Sequence, residues 1–217
     1  MPRIGMEAER RRSLIEATVD AIHEQGYCDV TIAQIARKAG VSGGLAHHYF
    51  GSKDQLLAAT MRHLLHELGE GIRARLAEAQ TPRARLSAII AGNFETGQFR
   101  EAVIAAWLAF YSQARTNPAS QRLLRIYSAR LVSNLTHSLR SFLPLADAQI
   151  VAEGTASMID GVWIRRALKE APPDADAAIR LVEDYVEAQI LLHRARASGA
   201  APHPIQPQTQ SQPGLSA

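Results

Sequence analysis

Helix start signals recur through most of the chain, and between them apolar residues return at the three- and four-residue spacing of amphipathic helices. Thr31 and Ser52 each stand three residues before a glutamine, which is the spacing of a capping box. Thr81 and Asn117 each precede a proline suited to the first position of a helix. Asp147 follows a helix-breaking proline and is placed to cap the next helix. These signals predict an all-α fold of about nine helices with no strand.

The helices fall into two groups of unequal size. Three short helical segments precede residue 52, and they predict an N-terminal domain over residues 1–52 with a helix-turn-helix motif at about 31–50. A long helix then opens a larger helical domain over residues 53–195. Residues 196–217 are rich in proline and glutamine with little apolar content, which predicts a disordered tail.

The turn between the second and third helices has the composition of a helix-turn-helix. Ala36 stands four residues before Gly40, which puts a small residue where the two helices touch and a glycine at the turn. Ser42 can cap the next helix, and Gly43 and Gly44 leave its first turn without side chains. Bare backbone N–H groups at a helix N-terminus can approach a phosphate or a base edge closely. The same glycines also fit a merely loose helix start.

Composition narrows the class of protein. The single cysteine, Cys28, excludes a disulfide framework and suits a reducing cytoplasm. No apolar run approaches the length of a membrane span, so we expect no membrane partner. The net charge of +3 leans towards an anionic partner but is too small to identify one.

Two clusters of aromatic residues lie in the predicted larger domain, and one of them includes an aspartate. Trp107, Phe110 and Tyr111 share one helix face, and Asp160 and Trp163 share another. A carboxylate beside a tryptophan suits a quaternary ammonium ion, which has no N–H to donate and is held by ring faces and a diffuse negative field. Ordinary core packing is the other interpretation of the same residues.

The last two helices offer a surface for a second copy of the chain. One carries a stripe of small residues and the other a set of apolar residues, and together they predict a two-fold four-helix interface. The residues are Gly154, Ser157 and Gly161 on the first helix and Leu181, Val182 and Tyr185 on the second.

An alternative from a different class is a helical metal-dependent enzyme. His63 and His66 are three residues apart with two glutamates nearby, but no second helix supplies a matching ligand set. The chain also has no phosphate loop, dinucleotide fingerprint or nucleophile elbow. The sequence therefore predicts a protein that is not an enzyme and uses neither cofactor nor metal.

Directly after the helix-turn-helix, the aromatic pair Tyr49-Phe50 is followed by two residues and Lys53. At this point the chain resembles the tetracycline-repressor (TetR) family of transcription regulators. The resemblance is closer to the choline-responsive repressors of glycine-betaine synthesis within that family, and it extends over the whole chain up to the tail. The matching stretches are IAQIARKAGVS, HYF, LLAATMR, GNF, AWLAF, RLVSNL and IDGVWIR.

The resemblance implies a homodimeric repressor that binds a palindromic double-stranded operator and is released when choline binds its C-terminal domain. A repressor of the same family that answers to a different cationic or apolar molecule is the nearer alternative. Tyr49 and Lys53 are expected to hold phosphates, and Leu45 to touch a thymine methyl. His47 stands where the family commonly has tyrosine. The expected DNA contacts are Thr31, Ser42, Gly43, Gly44, Leu45, His47, His48, Tyr49 and Lys53, and the expected ligand contacts are Trp107, Phe110, Tyr111, Asp160 and Trp163.

Overall fold

The computed structural model describes residues 4–95, 97, 99–168, 172 and 174–199. Over these residues it consists of α-helices and contains no strand, which confirms the predicted all-α fold. The nine helices of the described residues are α1 (Ile4–Gln25), α2 (Ile32–Lys38), α3 (Gly43–Phe50), α4 (Lys53–Glu78), α5 (Pro82–Asn93), α6 (Glu101–Ala114), α7 (Pro118–Leu139), α8 (Leu145–Ala167) and α9 (Ala175–Ala197).

The first three helices pack into one small unit. Leu14 of α1, Ile35 of α2 and Ala46 of α3 are completely buried. Gly40 adopts a φ of 69°, a conformation that strains any residue with a Cβ, and it stops α2. The N–H of Val41 then donates to the carbonyl of Ala36 at 2.9 Å, which turns the chain towards α3. This is the geometry of a helix-turn-helix.

Most of the helix starts lie where capping residues indicate them. Thr31 forms a reciprocal capping box with Gln34, and the Ser52 hydroxyl accepts from the N–H of Gln55. Thr81 and Asn117 also accept from backbone N–H groups one turn into their helices. Each of these bonds satisfies a donor that has no partner within the helix.

The capping role predicted for Asp147 is wrong. Pro144 itself occupies the cap position of α8, so Asp147 lies three positions inside the helix. Its carboxylate Oδ1 is 3.2 Å from Nδ1 of His193 on α9. Asp147 therefore connects α8 to α9 within the protomer.

Helices α4 to α9 form the larger helical part of the molecule. α4 packs on α5, and α7 packs on α8, while α6 contacts α1 as well as α7 and α8. At the crossing of α4 and α5, a Cβ on Gly92 would lie 2.6 Å from Cγ1 of Ile72, so the close approach needs glycine. No helix of the described residues has the length and apolar character needed to cross a membrane. α9 ends at Ala197, and the predicted disordered tail, apart from residues 196–199, lies outside the described residues.

Candidate DNA-binding surface and ligand site

The N-terminus of α3 is open to a partner. The Ser42 hydroxyl accepts from the N–H of Leu45 at 3.2 Å and so begins the helix. A Cβ built on Gly43 or Gly44 would meet nothing within 4 Å, so packing within the chain does not require glycine at either position. The two glycines leave the backbone N–H groups of the first turn approachable by an anion. Leu45 is half-buried and Thr31 is exposed at the start of α2.

Two exposed histidines follow on α3. Nδ1 of His47 lies 2.9 Å from the carbonyl oxygen of Gly51. Because a carbonyl can only accept, Nδ1 carries the proton of this bond and Nε2 is the nitrogen left for a partner. His48 is exposed and its ring lies 5.7 Å from that of Tyr49. Both histidines are therefore accessible to DNA.

We expect the double variant His47→Ala, His48→Ala to change which operator bases are preferred, because both exposed rings lie on the helix that would enter the major groove. Fluorescence anisotropy with labelled operators that differ at single base pairs measures the preference. His66→Ala is the control, because that exposed ring lies on α4 about 20 Å along the helix from its start. Base preferences that are the same in the double variant and in wild type would contradict the prediction.

Arg11 contacts Tyr49 and holds its ring in place. Local spacing in the sequence does not reveal this contact. Its guanidinium lies 4.8 Å from the centre of the Tyr49 ring, and Nη1 donates to the Tyr49 carbonyl at 3.3 Å. Nε of Arg11 also donates to Glu7 at 3.0 Å. A sequence separation of 38 residues hides this pair from any local pattern.

Lys53 binds within the protein. Its ammonium donates to the carbonyls of Tyr27, Cys28 and Val30 at 2.8, 3.2 and 2.9 Å, and it lies 4.6 Å from the centre of the Tyr27 ring. Three carbonyls use all three N–H donors of an ammonium group. Lys53 thus fastens the turn between α1 and α2 to the start of α4. Its contact with phosphate stays a prediction, and that contact would have to displace one of these bonds.

Aromatic side chains from three helices meet in a narrow crevice of the larger helical part. The ring centre of Trp107 lies 5.6 Å from that of Tyr111, 5.2 Å from that of Tyr127 and 5.9 Å from that of Trp163. The walls of the crevice are too close together to admit a water molecule. The crevice is lined by Leu68, Asn93, Trp107, Tyr111, Tyr127 and Trp163.

Asp160 supplies a carboxylate next to these rings. Its Oδ1 accepts a hydrogen bond from the Tyr111 hydroxyl at 3.1 Å. Burial raises the pKa of Asp160 to about 6, the bond from Tyr111 opposes the shift, and the negative charge of Glu153 adds to it. Burial also raises the pKa of Tyr111, so this phenol stays protonated. In the part of the chain that the structure describes, no basic side chain forms an ion pair with Asp160.

The structure adds three lining residues that sequence patterns did not reveal: Leu68, Asn93 and Tyr127. The Tyr127 hydroxyl donates to Oδ1 of Asn93 at 3.3 Å, and Nδ2 of Asn93 donates to the carbonyl of Ile89 at 2.8 Å. Asn93 is buried, which is unusual for a polar side chain. This burial marks it as part of the site, but only the structure reveals it. Tyr127 stands alone on α7, where no neighbouring aromatic residue draws attention to it.

Phe110 does not line the crevice, although the sequence analysis placed it in the ligand site. It is completely buried, and its ring packs edge-on against Trp107 with the centres 6.0 Å apart. On α6, Tyr111 follows Trp107 by four residues and shares its side of the helix more closely than Phe110 does. Phe110 therefore supports Trp107 from the core.

The predicted dimer surface needs two corrections. Val182 is completely buried inside the protomer, because it lies on the side of α9 that packs against the core, and it cannot contact a second copy. Gly154 receives the Tyr185 hydroxyl, which occupies the space of a Cβ, so this glycine serves the contact between α8 and α9. Tyr185 is partly buried by the same contact.

What remains exposed on α8 and α9 is still suited to a second copy. Ser157 is exposed, and a Cβ on Gly161 would enter open space. Large apolar side chains on the same two helices are exposed to solvent by 41–76%. They are Ile150, Ile164 and Leu168 on α8 and Leu181 and Leu191 on α9.

The histidines of α4 pair with glutamates of the same helix. His63 lies 3.2 Å from Glu67, and His66 lies 3.9 Å from Glu70. Among the described residues, no three acidic, histidine or cysteine side chains come together in a group that could hold a metal ion. These pairs are those of a solvated helix surface.

A helix-turn-helix unit joined to a larger helical part with an aromatic crevice is typical of one class of protein, the DNA-binding regulators. Comparison with known proteins agrees over most of the chain. Residues 14–60 match the tetR family of bacterial regulatory proteins, and residues 82–191 match the C-terminal domain of BetI-type transcriptional repressors. The chain belongs to the TetR family and carries a BetI-type repressor domain. Proteins of this family are transcriptional regulators and not enzymes.

Curated relatives and solved structures support this assignment. The chain is 52% identical to the HTH-type transcriptional regulator BetI of Brucella anthropi, over 88% of this chain and 98% of the relative. It is 50% identical to BetI of Rhizobium meliloti, over 94% and 99%. A regulator from Saccharomonospora viridis, solved in complex with choline, has a TM-score of 0.73 over 83% of this chain and 96% of its own. At 23% identity, that last likeness shows the fold alone.

Proposed function

We propose that the protein is a homodimeric repressor that binds a palindromic operator and releases it when choline enters the aromatic crevice. The observation that supports this proposal is the environment of Asp160. This carboxylate is largely buried beside aromatic rings, and within the described residues it forms no ion pair. Burying an uncompensated charge is costly, so a protein that keeps one gains from a cation that arrives from outside.

The chemistry of the crevice favours a quaternary ammonium ion. Ring faces contribute about 0.5–2 kcal/mol each to holding such a cation, and they do not require it to donate hydrogen bonds. Trp107, Tyr111 and Trp163 offer three such faces. Oδ1 of Asp160 already accepts from Tyr111, so the carboxylate supplies mainly charge, which is what a methylated ammonium can use.

The wider role follows from the same proposal. The relatives that are half identical to this chain carry the name BetI, and the regulator solved with choline shares its fold. We infer that the genes under its control serve choline uptake and the synthesis of glycine betaine, an osmoprotectant, and that the protein acts in the cytoplasm. We also propose a division into a DNA-binding domain up to residue 52 and a ligand-binding and dimerisation domain from residue 53.

Release requires choline to bind the released state more tightly than the DNA-bound state. A preference of about 100-fold supplies about 2.7 kcal/mol for each site, and the two sites of a dimer double this effect. In the DNA-bound state the two recognition helices would lie about 34–36 Å apart, one turn of DNA. The long helix α4 joins both parts of the protomer and would carry part of the movement.

The experiment that tests the proposal is a choline titration of the pure protein. We expect calorimetry to show binding at or below millimolar concentration, tryptophan fluorescence to change, and operator affinity to fall. Both tryptophans of the chain line the crevice, so the fluorescence reports on the site itself.

Trp163→Ala should remove the response to choline and leave ligand-free operator binding within about twofold, because the ring lies on α8, which packs mainly on α6, α7 and α9. Phe142→Ala is the matched control, since this ring packs between the guanidinium groups of Arg83 and Arg194, away from the crevice. Loss of operator binding in Trp163→Ala would show that the variant is simply destabilised. If wild-type protein binds no choline at millimolar concentration, the ligand is a different cation or an apolar molecule, and a panel of such compounds identifies it.

A further inference from the structure

A chain of polar side chains crosses from the larger helical part to the helix-turn-helix unit. It begins at Ser120 on α7, whose hydroxyl donates to Oε1 of Gln113 at 2.8 Å. Nε2 of Gln113, near the end of α6, donates to the Tyr27 hydroxyl at 3.0 Å. The Tyr27 hydroxyl in turn donates to Oδ1 of Asp54 in the first turn of α4. Every bond runs in the same direction, from Ser120 to Asp54.

Burial makes this chain sensitive to small movements. Ser120 is completely buried and Gln113 is 7% exposed, so water cannot easily replace a broken bond at either residue. The amide of Gln113 uses its oxygen towards α7 and its nitrogen towards Tyr27, and a flipped amide would lose both bonds. A shift of α6 against α1 therefore breaks this series of hydrogen bonds and does not merely lengthen them.

At one end, this series of hydrogen bonds contacts the DNA-binding unit. Tyr27 lies in the turn between α1 and α2 and contacts the first turn of α4 twice, through its hydroxyl to Asp54 and through its ring and carbonyl to Lys53. That first turn follows α3 after only Gly51 and Ser52. The position of Tyr27 thus helps to set how α3 lies relative to the rest of the protomer.

The other end belongs to the helix that carries the ligand site. Trp107 and Tyr111 precede Gln113 on α6 by six and two residues, about 9 and 3 Å along the helix axis. Tyr111, which lines the crevice, also donates to Asp160, which is not itself a lining residue. A ligand that pushes on Trp107 or takes Asp160 from Tyr111 acts on the same rigid helix as Gln113.

We propose that Gln113 and Tyr27 are positioning residues through which ligand binding in the aromatic crevice is transmitted to the DNA-binding helices, a route separate from the length of α4. This inference rests on the proposed function, since it concerns how the ligand site acts on the operator. It predicts that removing one of these hydrogen bonds uncouples ligand binding from operator binding. Each still occurs, but neither changes the affinity of the other.

The test uses the full-length protein with Tyr27→Phe, which removes one hydroxyl and keeps the ring against Lys53. Choline affinity is measured by calorimetry for the free protein and for the protein saturated with operator. Linkage requires the ratio of the two affinities to equal the effect of choline on operator binding. For wild type we expect a ratio of about 5- to 150-fold, the usual range of allosteric coupling. In Tyr27→Phe the ratio should approach one, while the choline affinity of the operator-free protein and the operator affinity of the choline-free protein each stay within about threefold of wild type.

A second pair of variants decides the matter if Tyr27→Phe folds poorly. Ser120→Ala removes the hydrogen bond to Gln113 at the other end of the series. Ser138→Ala is its control, because this buried serine lies on the same helix and its hydroxyl donates to the carbonyl of Asn134. A ratio that falls in Ser120→Ala and stays at the wild-type value in Ser138→Ala supports the proposal. Equal ratios in the two serine variants, or an unchanged ratio in a folded Tyr27→Phe, overturn it. Failure of wild-type protein to bind choline is a different result, because it removes the proposed ligand, and the same ratios are then measured with the cation that does bind.

Discussion

Asp160→Asn is expected to weaken choline binding by about 30-fold or more and at the same time to raise the thermal stability of the ligand-free protein. Removing one partner of a buried charge pair typically costs about 2 kcal/mol or more of binding free energy, which is this factor. Stability should rise because asparagine keeps the acceptor for the Tyr111 hydroxyl and removes a buried charge. The pKa of Asp160 rises from 3.8 to about 6, which corresponds to about 2–3 kcal/mol at neutral pH. For a chain of this size we expect the melting temperature to rise by about 5–10 °C.

The direction of the pH dependence follows from the raised pKa. Between about pH 4 and 6 the folded protein holds a proton on Asp160 that the unfolded chain has released, so this group makes folding more favourable as the pH falls through that window. The proposed choline binding should depend on pH in the opposite direction, because a cation gains only from the ionised carboxylate. Its affinity should fall by up to about tenfold for each pH unit below 6 in wild type and should stay constant in Asp160→Asn.

Glu153→Gln is the control for both measurements. Glu153 is an exposed carboxylate on the same helix, and its charge contributes only a minor part of the raised pKa of Asp160. Choline binding should survive this substitution. Equal losses in the two variants, or an Asp160→Asn protein that melts below wild type, would show that the buried carboxylate serves structure and not a cation.

Ile164→Glu is expected to convert the proposed dimer into monomers and to weaken operator binding by about 100-fold or more. The side chain is 41% exposed on α8 within the apolar surface that also contains Leu168 and Gly161. A buried glutamate on both sides of a two-fold axis places like charges near each other in an apolar interface. A monomer reaches only one half-site and loses the effective concentration that the second half-site gains from the first.

Sedimentation and operator binding, measured on the same samples, test this second prediction. Ile126→Glu is the matched control, since this isoleucine is 39% exposed but lies on α7. It should remain dimeric with unchanged affinity. A dimeric Ile164→Glu protein that binds operator normally would place the interface elsewhere on the molecule.

Most of the fold could be predicted from local patterns in the sequence. Capping residues such as Thr31, Ser52 and Asn117 satisfy donors within their own helix turn, so spacing alone identifies them. Asp147 shows where this reasoning ends. A proline can take the cap position itself, and the aspartate then finds its partner on α9, 46 residues away.

The candidate sites depend on contacts between helices, and those are less visible in the sequence. Trp107 and Tyr111 share one helix face, so their pairing follows from helix geometry. Tyr127 and Asn93 reach the crevice from two other helices, and only the packing of α5 and α7 brings them there. Val182 looked like part of an exposed apolar stripe, but a residue's side of a helix is decided by its neighbours in space.

The narrow aromatic crevice has a consequence for timing. Its walls leave no room for a water molecule, so the proposed ligand, choline, would enter only when the rings have moved apart. The apparent affinity would then be the intrinsic affinity multiplied by the fraction of open molecules, and an open fraction of about 1% would weaken it by about 100-fold. A bound cation would leave only after the same walls open again, which would lengthen its residence. A repressor of this kind would respond to a sustained supply of choline and not to brief fluctuations in its concentration.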